Sequence, residues 1–75
     1  MSNIEKVIEK IQELIPQAPS KWAELVADKM GKSTSMVREY ARGDKGLRTG
    51  GPIEVLKHLK FIIKEETERI NELTA

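Results

Sequence analysis

The sequence predicts an all-α protein, a small four-helix domain with a long C-terminal helix. Three observations carry this. Apolar residues recur at spacings of three and four over residues 3–15 and again beyond residue 52. Proline and glycine fall only between such stretches. No run alternates apolar and polar residues as a half-buried strand would, and there is no internal repeat.

The first helix is read over residues 3–15. Ile4, Val7, Ile8, Ile11, Leu14 and Ile15 share one stripe, with charged and amide residues filling the other faces. Either Ser2 or Asn3 caps its start, and Pro16 and Pro19 end it, because a residue before proline is pushed out of the α region. Ser20 is the expected N-cap of a second helix over 21–30, with Glu24 near its positive end and Trp22, Leu25, Val26 and Met30 as its apolar side. Gly31 stops this helix, since glycine accepts the left-handed conformation of a C-terminal cap. Ser33 caps a third helix over 34–42, whose apolar side is Met36, Val37, Tyr40 and Ala41 and which Gly43 closes. Residues 43–51 hold four of the five glycines and form a basic loop. Pro52 suits the first turn of a last helix over 52–73, with Glu54 near its start.

Seventy-five residues make one domain, and a core this small rarely supplies more than ~3–5 kcal/mol. With no cysteine, neither a disulfide nor the usual thiolate zinc site can add to it, so helix packing or oligomerisation must. The lack of cysteine, of an apolar run long enough to span a bilayer and of a signal-peptide pattern leads to the expectation of a soluble, cytoplasmic chain.

A net charge of +1 averages over unlike segments. Residues 1–31 carry four basic and five acidic residues, residues 32–60 seven and three, and residues 61–75 two and four. The positive charge is thus concentrated in the middle, where a phosphate backbone would need it.

A helix-turn-helix requires two short helices meeting through a tight turn. The first helix needs a small residue at the close crossing, met by Ala27. The turn needs a residue tolerant of positive φ, met four positions later by Gly31. The second helix needs an apolar, preferably β-branched residue packing back on the first, met six positions beyond by Val37. Val26, Met30 and Tyr40 flank these. With Val26-Ala27, Met30-Gly31, Ser33, Val37, Tyr40 and Gly43 in place, residues 23–43 resemble the phage-repressor type of helix-turn-helix, the Cro and lambda-repressor-like group. The chain departs from that pattern at Lys32, where the family usually has an apolar residue. A lysine there must turn outward, and packing under the turn must come from elsewhere.

The resemblance implies a protein that binds double-stranded DNA, with residues 34–42 entering the major groove. Ser33, Thr34, Ser35, Arg38, Glu39 and Arg42 are the residues left to face out. Arg38 is the expected base reader, because a guanidinium pairs bidentately with guanine. Thr34 and Ser35 would meet a base or a phosphate, and Arg42 the backbone. Glu39 either accepts from cytosine or pairs with a neighbouring arginine. The resemblance also implies a regulator, specifically a repressor of phage or mobile-element type.

In the loop, Lys45, Arg48 and Thr49 lie among glycines that admit a close phosphate, and the free N–H groups opening the last helix offer a second such contact. The plainer alternative is a flexible connection with ordinary surface charge. Along the last helix Leu56, Leu59, Ile63, Ile70 and Leu73 recur at spacings of three and four, interrupted by Glu66, while Ile53, Val55, Phe61 and Ile62 widen the apolar surface of its first half. It is either a fourth core helix of a monomer or a homodimer contact, the dimer being what two adjacent half-sites favour.

An enzyme is not expected: there is one histidine, His58, and no nucleophile–base pair. The glycine-rich segments lack P-loop spacing, and no cofactor, metal or small-molecule substrate is expected. The alternative from another class is a small helical protein-interaction module, which accounts for the last helix but not for Ala27, Gly31, Val37 or the central positive charge. RNA is a weaker candidate partner, since no exposed aromatic platform is evident.

Overall fold

The computed structural model describes residues Asn3–Thr74. Four α-helices follow one another: α1 (Asn3–Leu14), α2 (Trp22–Met30), α3 (Thr34–Arg42) and α4 (Gly51–Thr74), with no strand among the described residues. Of the two residues proposed to cap α1, Ser2 lies outside the described residues.

Packing follows the apolar stripes. Ile11 of α1, Ala23, Val26 and Ala27 of α2, Val37 and Ala41 of α3, and Val55, Leu59 and Ile62 of α4 form one buried cluster. α4 touches all three other helices, while α3 lies against both α1 and α2. No polar or charged residue is buried in this core. Its cohesion is therefore dispersion and apolar burial, and truncating Leu59 to alanine is expected to cost about 2–5 kcal/mol.

Three local expectations are corrected. The first helix ends at Leu14 instead of residue 15, and Ile15–Gln17 continue as a 3-10 turn in which Ala18 N–H donates to Ile15 C=O at 3.0 Å. A 3-10 turn tolerates Pro16 near its start, where the missing N–H has no obligatory partner. The second helix starts at Trp22 with Lys21 at the cap position and no side-chain cap, so Ser20 does not cap it. The backbone supplies the turn instead, with Trp22 N–H donating to Pro19 C=O at 3.0 Å. Finally, Leu25, Ile53 and Phe61 are exposed. The inward face of α2 is Ala23, Val26 and Ala27, and Leu25 lies off that row.

α4 is 24 residues long, about 36 Å at 1.5 Å per residue, against 9–12 residues for the others. No helix among the described residues is long and apolar enough to cross a membrane.

Candidate nucleic-acid interface

The turn between α2 and α3 is made by three residues. Gly31 has φ 66° and ψ 32°, and its N–H and that of Lys32 both reach Ala27 C=O. That pairing satisfies the end of α2 and demands a residue free to adopt positive φ. Ser33 then caps α3, its Oγ accepting from Met36 N–H at 3.1 Å. Lys32 is exposed, turned out as its charge requires.

Val37 and Ala41 face the core, with Met36 and Tyr40 half-buried beside them. One face of α3 is thereby fixed, and the other is free. Ser35, Arg38 and Arg42, spaced by three and four, line up along that free face and are all exposed, as is Ser33 at its head. Thr34 and Glu39 are half-buried at its margins.

Two of the charged residues are already engaged. Glu39 pairs with Lys45 at 3.3 Å, and Arg42 Nε donates to Asp44 Oδ2 at 3.0 Å. Glu39 thus takes a loop lysine as its partner and not a neighbouring arginine. Arg38 and Arg48 have no ion pair or hydrogen-bond partner among the described residues. Over residues 32–48, five basic residues stand against these two acidic ones, and each acidic residue is neutralised by a pair.

The chain matches no family model, no curated protein and no solved structure.

The loop between α3 and α4 is organised about one carbonyl. Gly46 C=O accepts from Thr49 N–H at 3.3 Å, Thr49 Oγ1 at 3.4 Å and Gly51 N–H at 3.1 Å. Asp44 N–H returns to Glu39 C=O at 2.9 Å, which ties the loop to the last turn of α3. Lys45 and Arg48 project from this closed loop, and both are exposed. Thr49 is exposed too, but its hydroxyl proton is directed at Gly46.

The start of α4 offers one of the free N–H groups expected of it, that of Ile53, which has no hydrogen-bond partner among the described residues. Gly51 N–H is bonded to Gly46, Pro52 has none, Glu54 N–H donates to Gly50 C=O, and Gly51 and Pro52 are buried. Glu54 adds negative charge there, 3.9 Å from both Lys57 and His58.

Two residues of this surface carry no sequence signal. Gln12 Nε2 donates to Ala41 C=O at 2.9 Å, fastening α1 to the last turn of α3. Trp22, half-buried, shares a shallow cleft of about 170 Å³ with Gln12, Arg38 and Arg42. Gln12 reads from sequence as one more polar residue on the outer face of α1, and Trp22 as core. No group of three or more potential metal ligands exists among the described residues.

Proposed function

We propose that this protein binds double-stranded DNA, with α3 in the major groove and Arg38 reading base edges. The observation that carries the reading is the exposed row Ser35–Arg38–Arg42 on a helix whose opposite face is locked into the core by Val37 and Ala41. Nine helical residues span about 13.5 Å, which suits a major groove ~12 Å wide. Short hydroxyl residues at the head of the row let the helix approach closely. The loop cations Lys45 and Arg48 lie next to it in the fold, placed to meet phosphates while α3 meets bases. Trp22 lies at the edge of the same surface.

The resemblance of residues 23–43 to phage-repressor helix-turn-helix proteins supports a role as a small transcriptional regulator, with repression the natural outcome of occupying an operator. Titration of the protein into random-sequence duplex DNA at several salt concentrations tests the reading. Affinity should fall steeply as salt rises, since each neutralised phosphate releases condensed counterion. Selection from a random duplex pool should then return a preferred sequence. Absence of binding at low salt and micromolar protein would defeat the proposal.

A further inference from the structure

The seam of α4 outlasts the fold it serves. Leu59 is fully buried and Ile63 half-buried against the core, but Ile70 and Leu73, which continue the same three-and-four spacing, are 51% and 80% exposed. From Lys64 to Thr74 every residue except Glu66 is exposed. In a folded protein a helix draws most of its stability from packing its apolar face, and this segment of α4 packs against nothing within the monomer.

A groove of about 440 Å³ runs beside it, between the start of α2 and the second half of α4. Leu25 and Ile62 give it apolar character; Lys21 and Lys29 stand on its α2 wall, and Glu65, Glu66 and Arg69 on its α4 wall. Lys29 Nζ also sits 4.9 Å from the ring centre of exposed Phe61, so the apolar area continues past the groove.

We infer that the groove is filled by the α4 end of a second copy of this chain, in a two-fold, reciprocal dimer. Three features select a second copy. The α4 end carries both the apolar pair Ile70 and Leu73 and a net negative charge, with four glutamates in residues 64–74 against Lys64 and Arg69, which complements Lys21 and Lys29. In an antiparallel α4 pair that places Leu73 level with Ile62 of the other copy, Glu66 falls level with the other Arg69, so the helix is self-complementary in charge as a two-fold contact demands. The surface is also too large for a compact monomer: 5231 Å² is exposed, against roughly 4,650 Å² for a folded chain of this mass. That excess is of the order of the ~800 Å² that each partner loses in a standard interface.

The inference does not depend on DNA binding, and neither does its test. Sedimentation of the full chain across micromolar concentrations should show a monomer–dimer equilibrium. Leu73→Glu and Leu25→Glu, at positions exposed in the monomer, should each shift it at least tenfold toward monomer while cooperative unfolding, followed by far-UV circular dichroism, persists. Arg69→Glu should weaken the dimer, and Glu66→Arg combined with Arg69→Glu should restore it. Because the chain has no cysteine, a mixture of the Leu25→Cys and Leu73→Cys proteins should oxidise to a covalent pair faster than either alone. A wild-type monomer at 100-fold the concentration used for DNA titration, or a dimer indifferent to Leu73→Glu and Leu25→Glu, would overturn it.

Discussion

The ring of Tyr40 lies directly on the backbone of Gly46: a β-carbon built at Gly46 would stand 2.6 Å from Tyr40 Cε1 and 2.7 Å from Cδ1. The same ring would meet a β-carbon on Gly51 at 2.8 Å. Tyr40 is thus the physical link between the exposed helix and the basic loop, and only glycine lets the loop pass so close.

Gly46→Ala should therefore be costlier than glycine-to-alanine changes made in open space. At Gly46 the substitution meets both a φ of 74° and the ring, for a combined cost of about 2–4 kcal/mol. Gly31, with φ 66° and nothing within 4 Å of the added carbon, should lose only the conformational part, about 1–2 kcal/mol. Urea unfolding of the two variants gives the order directly. Equal midpoints would mean that the ring moves aside freely.

Tyr40 itself should be sensitive to loss of its ring and not of its hydroxyl. The hydroxyl makes a single contact, donating to Met36 Sδ at 3.2 Å, so Tyr40→Phe is expected to change stability by less than about 1 kcal/mol. Tyr40→Ala removes the support under Gly46 and Gly51 and should cost about 3 kcal/mol. It should also speed tryptic cleavage after Lys45 and Arg48, measured under native conditions, more than it speeds cleavage within α1.

How far the sequence carries can be judged at these residues. Gly31, Ser33, Val37 and Gly43 are legible because each answers a local need: a left-handed cap, an orphan N–H, a contact six residues from the turn. The helical periods likewise place Ile11, Val26, Val55 and Leu59 in the core. The misreadings have a different origin. Leu25 and Phe61 are apolar but sit off the rows that face neighbouring helices, and which row faces inward is decided by tertiary packing. The engagement of Gly51 N–H at the start of α4 depends on its reaching back to Gly46, a closure that glycine content alone does not specify. The pairing of Arg42 with Asp44 and of Glu39 with Lys45 depends on the path of the loop, as does the hydrogen bond from Gln12 to Ala41 across the bundle.

The two serines that precede helices should separate cleanly. Ser33 accepts from Met36 N–H, and Ser33→Ala should cost about 1 kcal/mol, as loss of an N-cap commonly does. Ser20 makes no cap hydrogen bond, so Ser20→Ala should leave the unfolding midpoint unchanged. A similar loss at both positions would mean that α2 begins a turn earlier in solution.

Arg38 and Arg48 are both unpaired and exposed, but they occupy different parts of the proposed interface. Arg38→Ala should relax preference at one base position, with a loss of about 1–3 kcal/mol on the preferred sequence and little on random duplex. Arg48→Ala should weaken binding to all duplexes alike and reduce the steepness of the salt dependence by about one phosphate contact. Parallel titrations on selected and random DNA distinguish the two. Identical losses on both substrates for both variants would remove the distinction between reading and holding.

Arg42 supplies the sharpest test, because in the proposed complex its present partner would compete with DNA for it. Its guanidinium is held by Asp44 at 3.0 Å, with both side chains more than half exposed, so the pair contributes little to stability but directs the arginine toward the loop. Asp44→Asn weakens that hold and removes a negative charge from the proposed binding face. The variant should fold as stably as the parent, bind random duplex more tightly, and show a salt slope steeper by about 0.9, the increment for one further phosphate contact. Glu9→Gln, which removes the same charge from the outer side of α1, serves as the control for net charge alone. Tighter binding by Asp44→Asn beyond that of Glu9→Gln identifies Arg42 as released onto phosphate. Equal gains would reduce the effect to overall charge, and a loss on Asp44→Asn would show that the ion pair positions Arg42 for contact instead of withholding it.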